Sequence, residues 1–400
     1  MAMICLNEAL RHIKNLQPLQ PVAIPLEKTL GLVCAENTSA IVNCPTADSS
    51  LKDGFAVASE DITEASPLNP IRLSIAGAVA AGEDSAALSV TPGYAIRIMT
   101  GATIPSGANS VLASEFAHMD GDSVSAIADA STGRNILAKG SDIQKDQLVV
   151  TKGTLLRPAD LGLLAAAGIK QVICHPLPTI AVAATGNELV WPREPITPGK
   201  VAASNMVLTA AELKVLGITA ATTLLRDKLE NLQEQFRSLT TKFDVLITCG
   251  GVLDGDKDFT MKAMEKIGME KIFHRVRIGP GKGACMGRVG KTIVFNLPGG
   301  PPSHHVSLLL LALPGIRRLM GYTDFLPPKR KLYVTEELTG QEDWTQLIYC
   351  SAESKNETLF ANPLHGNGRL RAMAKANALV EIPEGTSVID KSAIAEAWFF

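Results

Sequence analysis

The residues best suited to chemistry are three aspartates at alternate positions, Asp254, Asp256 and Asp258. They follow an apolar run, 245–249, and the glycine pair Gly250 and Gly251. Carboxylates beside glycine amides are typical of four arrangements: a calcium loop, a phosphate cradle, an acidic metal site and a polar turn. The sequence must be compared with each in turn.

Two of these interpretations fail on spacing. In the frame of an EF-hand, Asp254, Asp256, Asp258 and Glu265 occupy positions 1, 3, 5 and 12, but position 6 requires glycine and here is Phe259. A Walker phosphate loop needs G-K-[ST] after its glycines, and none follows. Two interpretations stay open: an acidic cluster holding a divalent cation that bridges phosphates, and a solvated acidic turn.

The elements that position this loop alternate between strand and helix over about 175–322. We predict strands at 179–185, 218–225, 243–249, 272–278 and 291–297, with helices at 204–217, 227–239, from about 259, and at 302–313. Ser204 or Asn205 is the predicted N-cap of the first helix, and Asp227 with Glu230 resembles a capping box on the second. This alternation predicts a mostly parallel, doubly wound sheet.

Three loops directly follow predicted buried strands, at 185–189, 250–258 and 297–303. In doubly wound sheets ligands bind beyond the carboxyl ends of the strands. Glycine amides and helix N-termini at that edge attract anions. One such loop could be a tight turn, but three favour a ligand site.

Composition narrows the class of protein. The chain has 400 residues, 46% of them hydrophobic, and a net charge of −2, which gives no electrostatic reason to bind nucleic acid or an anionic membrane. Seven cysteines without a C-x-x-C pair indicate reduced thiols and a cytoplasmic location. The N-terminal segment has helical periodicity and no cleavage site, and the longest apolar run, 306–316, is too short for a membrane span.

The rest of the chain predicts further domains. Residues 1–61 together with 142–174 are expected to form a mixed α/β domain, including a helix that starts at Pro158 and ends at Gly168. The segment 62–141 is expected to be a β-rich insertion, 175–325 the parallel-sheet domain, and 326–400 a β-rich C-terminal domain after a proline-rich linker.

The chain resembles the MoeA and gephyrin E-domain family of molybdopterin molybdotransferases from end to end. The resemblance rests on "DSSLKDGFAV" (48–57), "GYAIRIMTGATIPSGANSVLASE" (93–115), "GRNILAKGSDI" (133–143), "ATGNEL" (184–189), "ITCGGVLDGDKDF" (247–259), "PGKG" (280–283), "NLPGGPPS" (296–303) and "ANALVEIPEG" (376–385). It implies an α/β multidomain fold with a MogA-like sheet domain and a C-terminal β-barrel-like domain. It also implies a homodimer with a cleft shared between subunits, Mg²⁺, and adenylated molybdopterin with molybdate as substrates. Molybdoenzymes or other cofactor-synthesis proteins are the further partners it suggests.

The same resemblance assigns roles to individual residues. The implied catalytic residues are Asp53, Thr100, Asp142, Glu188 and Asp258. The implied metal ligands are Glu188, Asp256 and Asp258. The implied cofactor-binding residues are Thr185, Gly186, Ser204, Asn205, Asp227, Gly250, Gly251, Arg275, Lys282, Pro298 and Gly299. Carboxylates of this kind supply metal ligands and a general base, and glycine amides bind phosphate oxygens.

The chain departs from the family pattern where an anion would bind. The altered positions are Lys52, Leu137, Leu253, Gly279, Gly300 and Asn367. Because several hydroxyl and cationic donors are replaced, we expect weak binding of molybdate. Insertion of molybdate or tungstate is the leading hypothesis. A molybdopterin-binding carrier and a phosphate-ester or nucleotide hydrolase on the same fold stay open.

Two further features are assigned structural roles. His304 and His305 adjoin a predicted helix start without a third metal ligand nearby, which favours capping or surface roles over zinc. Cys249 ends a predicted buried strand and is interpreted as a small core residue.

Overall fold

A computed structural model of the chain describes residues 2–252, 259–365 and 369–400. The chain divides into two compact units. Unit 1 comprises Met1–Val22, Gly31–Ala35 and Ile173–Phe400, and unit 2 comprises Ala23–Leu30 and Glu36–Val172. Neither unit is continuous in sequence, so the chain crosses between them at four points.

Helices account for a minority of the described residues. The α-helices are α1 Leu6–Lys14, α2 Pro158–Ala166, α3 Ser204–Val215, α4 Leu229–Lys242, α5 Phe259–Lys266, α6 Pro301–Ser307, α7 Leu313–Leu319 and α8 Arg369–Lys375. A π-helical turn, Leu308–Ala312, joins α6 to α7. Short 3₁₀ turns cover Leu26–Lys28, Ser59–Ile62 and Ser114–Phe116.

Most of the regular structure is β. In the first part of the chain the strands are β1 Val22–Pro25, β2 Val33–Cys34, β3 Thr38–Ser39, β4 Ser49–Ser50, β5 Gly54–Val57, β6 Ile71–Val79, β7 Tyr94–Ile98, β8 Ser110–Ala113, β9 Ala117–Asp120, β10 Ser123–Ala126, β11 Ile136–Leu137, β12 Leu148–Val150 and β13 Gln171–His175. They continue as β14 Ile180–Thr185, β15 Leu189–Val190, β16 Val201–Ala202, β17 Ala221–Leu225, β18 Val245–Cys249, β19 Glu270–His274, β20 Ile278–Gly279, β21 Cys285–Val289, β22 Thr292–Leu297, β23 Lys329–Val334, β24 Leu338–Thr339, β25 Thr345–Lys355, β26 Thr358–Pro363, β27 Ala378–Ile382, β28 Val388–Ile389 and β29 Ile394–Phe399.

The centre of unit 1 is a six-stranded sheet in the order β17-β14-β18-β22-β21-β19. The first four strands are parallel, and β21 and β19 extend the sheet antiparallel. Every residue of β14, β18 and β22 is buried, as expected for parallel strands covered on both faces. The predicted doubly wound, mostly parallel α/β domain is confirmed.

Separate cores cover the two faces of this sheet. On one face α1, α3 and the helix that runs from α6 through α7 pack on side chains such as Val182, Ile247 and Phe295. On the other face α4 and α5 pack on Ala183 and Leu246. Alternate residues along each strand supply the two cores, which is the period-2 consequence of the pleat.

The C-terminal part of unit 1 is a closed barrel. Its strands follow the order β25-β26-β23-β29-β27, and β27 pairs again with β25. The short strand β20 adds to β25 in parallel register, Ile278 opposite Thr345. This pairing brings the segment after β19 against the barrel, and the predicted β-barrel-like domain is confirmed.

Unit 2 contains a six-stranded sheet in the order β8-β5-β7-β6-β10-β9 and two small ribbons, β4 with β11 and β3 with β12. Buried side chains on its two faces form two clusters, one around Phe55 and Leu112 and one around Ile96 and Val111. The predicted helix after Pro158 is α2, with Pro158 in its first turn and Gly168 beyond its end. The exact domain boundaries stay a prediction.

Two predicted caps are wrong. The N-cap of α3 is Ala203, and neither Ser204 nor Asn205 caps it because both already lie inside the helix. The N-cap of α4 is Lys228, with no side-chain cap, so Asp227 and Glu230 do not form a capping box. Sequence patterns locate helix ends to within one or two residues, which is too coarse to assign a cap.

Candidate functional site at the edge of the parallel sheet

The three predicted loops do meet at one edge of the sheet. Gly250 follows β18, and its N–H donates to the carbonyl of Leu297, the last residue of β22 (2.9 Å). A Cβ at Gly250 would lie 3.2 Å from the Thr185 carbonyl oxygen at the end of β14. A Cβ at Gly299 would lie 3.5 Å from the Gly250 Cα. The backbones therefore approach more closely than most side chains would allow.

Gly251 is the most constrained glycine of this edge. Its φ of +67° lies in the left-handed region, and a Cβ there would overlap the Thr260 hydroxyl in the first turn of α5. The Thr260 and Thr185 hydroxyls lie 3.0 Å apart and are buried. Sequence reasoning missed Thr260, because its role depends on a contact with a strand 75 residues away.

The loop after β14 is held by cations and by the segment after β17. The Asn187 carbonyl accepts hydrogen bonds from Lys200 Nζ (2.7 Å) and from Arg226 Nη1 (3.1 Å). The Asp227 N–H donates to Asn187 Oδ1 (3.2 Å). Glu188 is exposed, and its carboxylate folds back over Gly186, where a Cβ would lie 2.6 Å from Oε1. Gly186, Glu188 and Asp227 are thus brought together.

A cavity of about 570 Å³ opens beside the glycine loops. Backbone of the segments 279–283 and 298–300 lines it, together with the side chains of Lys282, Ser303 and Trp344. The Lys282 ammonium lies 5.4 Å from the centre of the Trp344 ring, within cation–π range. One cation, a hydroxyl and several glycine amides suit an anionic ligand.

The C-terminal barrel region contributes three residues to this cavity that sequence reasoning missed, Gln341, Trp344 and Gln346. Gln346 follows the residue paired with Ile278, and its carboxamide lies over Gly279, where a Cβ would be 2.6 Å from Oε1. The volume that a side chain at position 279 would need is therefore occupied by a neutral amide. The position of the Gln346 side chain over Gly279 follows from the pairing of β20 with β25 and not from local sequence.

Asn205 has a role different from capping. Its side-chain amide donates to the Gly299 carbonyl (2.9 Å), which ties α3 to the loop after β22. Ser204 lies beside it in the first turn of α3. Pro298 and Gly299 line the cavity, whereas Arg275 lies between β19 and β20 with a left-handed backbone (φ +68°). Their roles in binding a cofactor stay predictions.

His304 and His305 are not surface residues, which contradicts the prediction. They are 0% and 3% exposed, and burial lowers the pKa of His304 to about 3 and of His305 to about 4. His304 Nε2 lies 2.8 Å from the Thr209 hydroxyl, and His305 Nδ1 lies 3.1 Å from the Tyr349 hydroxyl. The predicted core role of Cys249 is confirmed, since it is 4% exposed and burial raises the pKa of its thiol to about 12.

A larger cavity, of about 720 Å³, lies in unit 1 beside Arg277 and Glu384. The Arg277 guanidinium already pairs with both Glu384 oxygens, at 3.2 and 3.3 Å. No glycine loop of the sheet edge lines it. The smaller cavity is therefore the better candidate site.

The predicted catalytic residues of unit 2 form one close pair. Asp53 Oδ1 accepts hydrogen bonds from the Thr100 N–H (2.7 Å) and hydroxyl (2.8 Å). These bonds lower the pKa of Asp53, so the carboxylate is ionised at neutral pH. Asp142 is exposed, and its N–H donates to the Cys44 carbonyl. Lys52 is exposed and Leu137 is half-buried in the same unit.

Several predicted residues lie outside the described ranges: Leu253, Asp254, Asp256, Asp258 and Asn367. Of the three predicted metal ligands the structure describes only Glu188, an exposed carboxylate whose oxygens suit Mg²⁺. Within 2–252, 259–365 and 369–400 no three His, Cys, Asp or Glu side chains come together as a metal site. Nor does any helix in these ranges have the length and apolar character needed to cross a membrane.

Comparison with known proteins gives matches along the whole chain. Family models match in order: the MoeA N-terminal region (domains I and II) at 4–168, a probable molybdopterin-binding domain at 181–318, and the MoeA C-terminal region (domain IV) at 331–400. Molybdopterin molybdenumtransferase 2 of Mycobacterium tuberculosis is 31% identical over 387 residues, 95% of each chain. Molybdopterin molybdenumtransferase of Staphylococcus aureus is 30% identical over 96% of this chain and 92% of its own.

A solved structure agrees with these matches. The crystal structure of the molybdopterin biosynthesis MoeA protein from Pyrococcus horikoshii covers 100% of this chain and 99% of its own, with a TM-score of 0.84 and 29% identity. The carrier and hydrolase alternatives gain no support from any of these relatives. The chain belongs to the MoeA family of molybdopterin molybdenumtransferases, transferase enzymes of molybdenum cofactor biosynthesis.

Proposed function

We propose that the protein inserts molybdate into adenylated molybdopterin in a Mg²⁺-dependent reaction that releases AMP. The observation that carries the proposal is the convergence of three strand ends, at Thr185, Gly250 and Leu297, beside a cavity that contains a lysine. Parallel-sheet edges of this kind bind phosphorylated ligands.

Each part of the edge has a task in this proposal. The amide N–H groups of the glycine loops donate hydrogen bonds to phosphate oxygens, and the Lys282 ammonium offsets negative charge at the cavity. Glu188 is the described residue that would hold the metal, and bound Mg²⁺ would neutralise charge on the phosphates. Asp53, with its lowered pKa, is better suited to binding a cation or a polar group than to accepting a proton.

The homodimer is also a proposal, and an apolar face of unit 2 supports it. Ile41, Leu148 and Leu163 are 54%, 48% and 38% exposed. The Ala40 N–H donates to the Gln147 carbonyl and the Ile41 N–H to the Ala167 carbonyl, so the ends of β3, β12 and α2 lie side by side. A second copy of this chain is the occupant that we propose for this face. The expectation that each copy completes the cleft of the other stays a prediction.

The direct test uses purified protein with adenylated molybdopterin and Mg²⁺, with and without molybdate. We expect AMP release that requires Mg²⁺ and metallated cofactor that forms only with molybdate. AMP release that is fast and indifferent to molybdate, with no metallated product, would instead identify a hydrolase. Chelation by EDTA, followed by Mg²⁺ restoration, controls for metal dependence.

The affinity for molybdate is expected to be low. Gln346 supplies a neutral amide over Gly279, and Lys282 is the one cationic side chain among the described residues that line the cavity. Each lost hydrogen bond to a charged oxyanion costs roughly 1.5–3 kcal/mol, or about one to two decades of affinity. Titration of turnover with molybdate measures this; saturation at micromolar molybdate would contradict the expectation.

A further inference from the structure

The segment 297–303, which lines the cavity and begins α6, has little backbone hydrogen bonding of its own. Its sequence, Leu-Pro-Gly-Gly-Pro-Pro-Ser, contains three prolines without N–H groups and two glycines with high conformational freedom. The Leu297 carbonyl accepts the Gly250 N–H, and the His304 N–H donates to the Gly300 carbonyl (2.8 Å). No side chain caps α6 at Gly300. Other elements must therefore fix the geometry of the segment.

Helix α3 does so with two side chains one turn apart. Asn205 Nδ2 donates to the Gly299 carbonyl at 2.9 Å, and the Thr209 hydroxyl lies 2.8 Å from His304 Nε2. Residues i and i+4 share one face of a helix, so both contacts come from the same side of α3. In a trans peptide the N–H points opposite to the preceding carbonyl. With the Gly299 carbonyl turned to α3, the Gly300 N–H is turned away from it.

The contact between Thr209 and His304 is buried. Thr209 and His304 are both 0% exposed. Burial lowers the pKa of His304 to about 3, so the imidazole is neutral and carries a single N–H. The Thr209 hydroxyl thus joins α3 to the start of α6.

We propose that Thr209 and His304 are positioning residues, which hold the 297–303 segment in the geometry that binds the phosphate-bearing substrate. The identity of the ligand rests on the proposed function, whereas the role of Thr209 and His304 in holding the segment does not. A buried imidazole left without its hydroxyl partner costs free energy unless it moves. Movement of His304 would displace the start of α6 and with it the amides of residues 299, 300 and 303.

The test compares Thr209→Val, which keeps the shape and removes the hydroxyl, with Thr209→Ser, which keeps the hydroxyl. Thr240→Val is the matched control: Thr240 is also a buried helical threonine (8% exposed), but its hydroxyl bonds the Phe236 carbonyl of its own helix. Hydrogen exchange of the buried His304 amide, whose N–H donates to the Gly300 carbonyl (2.8 Å), reports the start of α6 and the segment before it. Calorimetry measures the Kd for AMP, and steady-state kinetics measure KM and kcat; together they report how well the site binds and turns over its ligand.

We expect Thr209→Val to speed exchange at the His304 amide about tenfold and to raise the Kd for AMP and the KM for substrate about tenfold, equivalent to about 1.4 kcal/mol. The kcat should change by less than about twofold, since the residue touches no reacting atom. Thr209→Ser should restore exchange and affinity to within about threefold of wild type. Thr240→Val should alter neither.

Equal exchange in wild type and Thr209→Val would overturn the proposal, as would equal acceleration by Thr240→Val, which would mean general destabilisation. If the wild-type protein binds no AMP, the proposed function fails, while the exchange measurement still shows whether Thr209 and His304 hold the segment. Normal exchange in Thr209→Val together with lost AMP binding would also refute positioning through the segment.

Discussion

Two adjacent buried histidines predict a specific loss of stability in acid. In the folded protein burial lowers the pKa of His304 to about 3 and of His305 to about 4, from an ordinary value of 6.5. The unfolded chain therefore binds more protons than the folded chain between pH 3 and 6.5. The stabilisation is complete above pH 6.5 and declines as the pH falls below that value.

The magnitude follows from these pKa values. Between pH 7 and pH 5 each histidine reduces the free energy of unfolding by about 2 kcal/mol, and the pair by about 4 kcal/mol. The substitution His305→Phe removes one titrating group and keeps an aromatic ring between Tyr349 and Phe400, which His305 contacts by stacking and edge-on. The Tyr349 hydroxyl keeps a second partner, the Pro302 carbonyl (3.3 Å).

Denaturant unfolding at several pH values measures the effect. Tryptophan fluorescence reports unit 1 alone, because Trp191, Trp344 and Trp398 are the only tryptophans and all belong to it. We expect His305→Phe to lower the loss of stability between pH 7 and pH 5 by about 2 kcal/mol, whatever its cost at pH 7. An unaltered slope in His305→Phe would refute the reasoning.

Three further predictions, tested by four substitutions, concern the site and the assembly. Gly251→Ala should destabilise the protein by about 2 kcal/mol, because the alanine would combine a positive φ with steric overlap, and it should weaken AMP binding. The control Gly268→Ala has a positive φ but open space, so it should cost about 1 kcal/mol of stability and leave AMP binding intact. Chemical denaturation measures the stability of both variants, and calorimetry measures AMP binding. Glu188→Gln should leave the unfolding free energy nearly unchanged while AMP release loses its Mg²⁺ dependence, and unchanged Mg²⁺-dependent release would show that Glu188 is not a ligand. Leu148→Glu should convert the proposed dimer to monomer at micromolar concentration, which small-angle scattering detects; a monomeric wild type would remove the dimer proposal.

The sequence was sufficient for the parallel sheet and its ligand edge. Short, continuously apolar runs, each followed by a glycine loop and a helix, are typical of parallel strands buried on both faces, and the chirality of such units places their loops at one edge of the sheet. Glycines at 250, 251 and 299 could therefore be assigned to one site before any contact was known. Residue order also carried the family resemblance, which the comparisons confirm.

Only the tertiary structure decided which side chains serve that edge and how. Asparagine is a common N-cap residue, but Asn205 lies two residues past the N-cap Ala203, inside α3, and its side chain donates to the Gly299 carbonyl instead. His304 and Gln346 have no local signal at all, because their partners, Thr209 and Gly279, lie 95 and 67 residues away in sequence. Local propensity and periodicity act over a few residues, whereas the position of a side chain in a cavity depends on the packing of elements brought together by the fold.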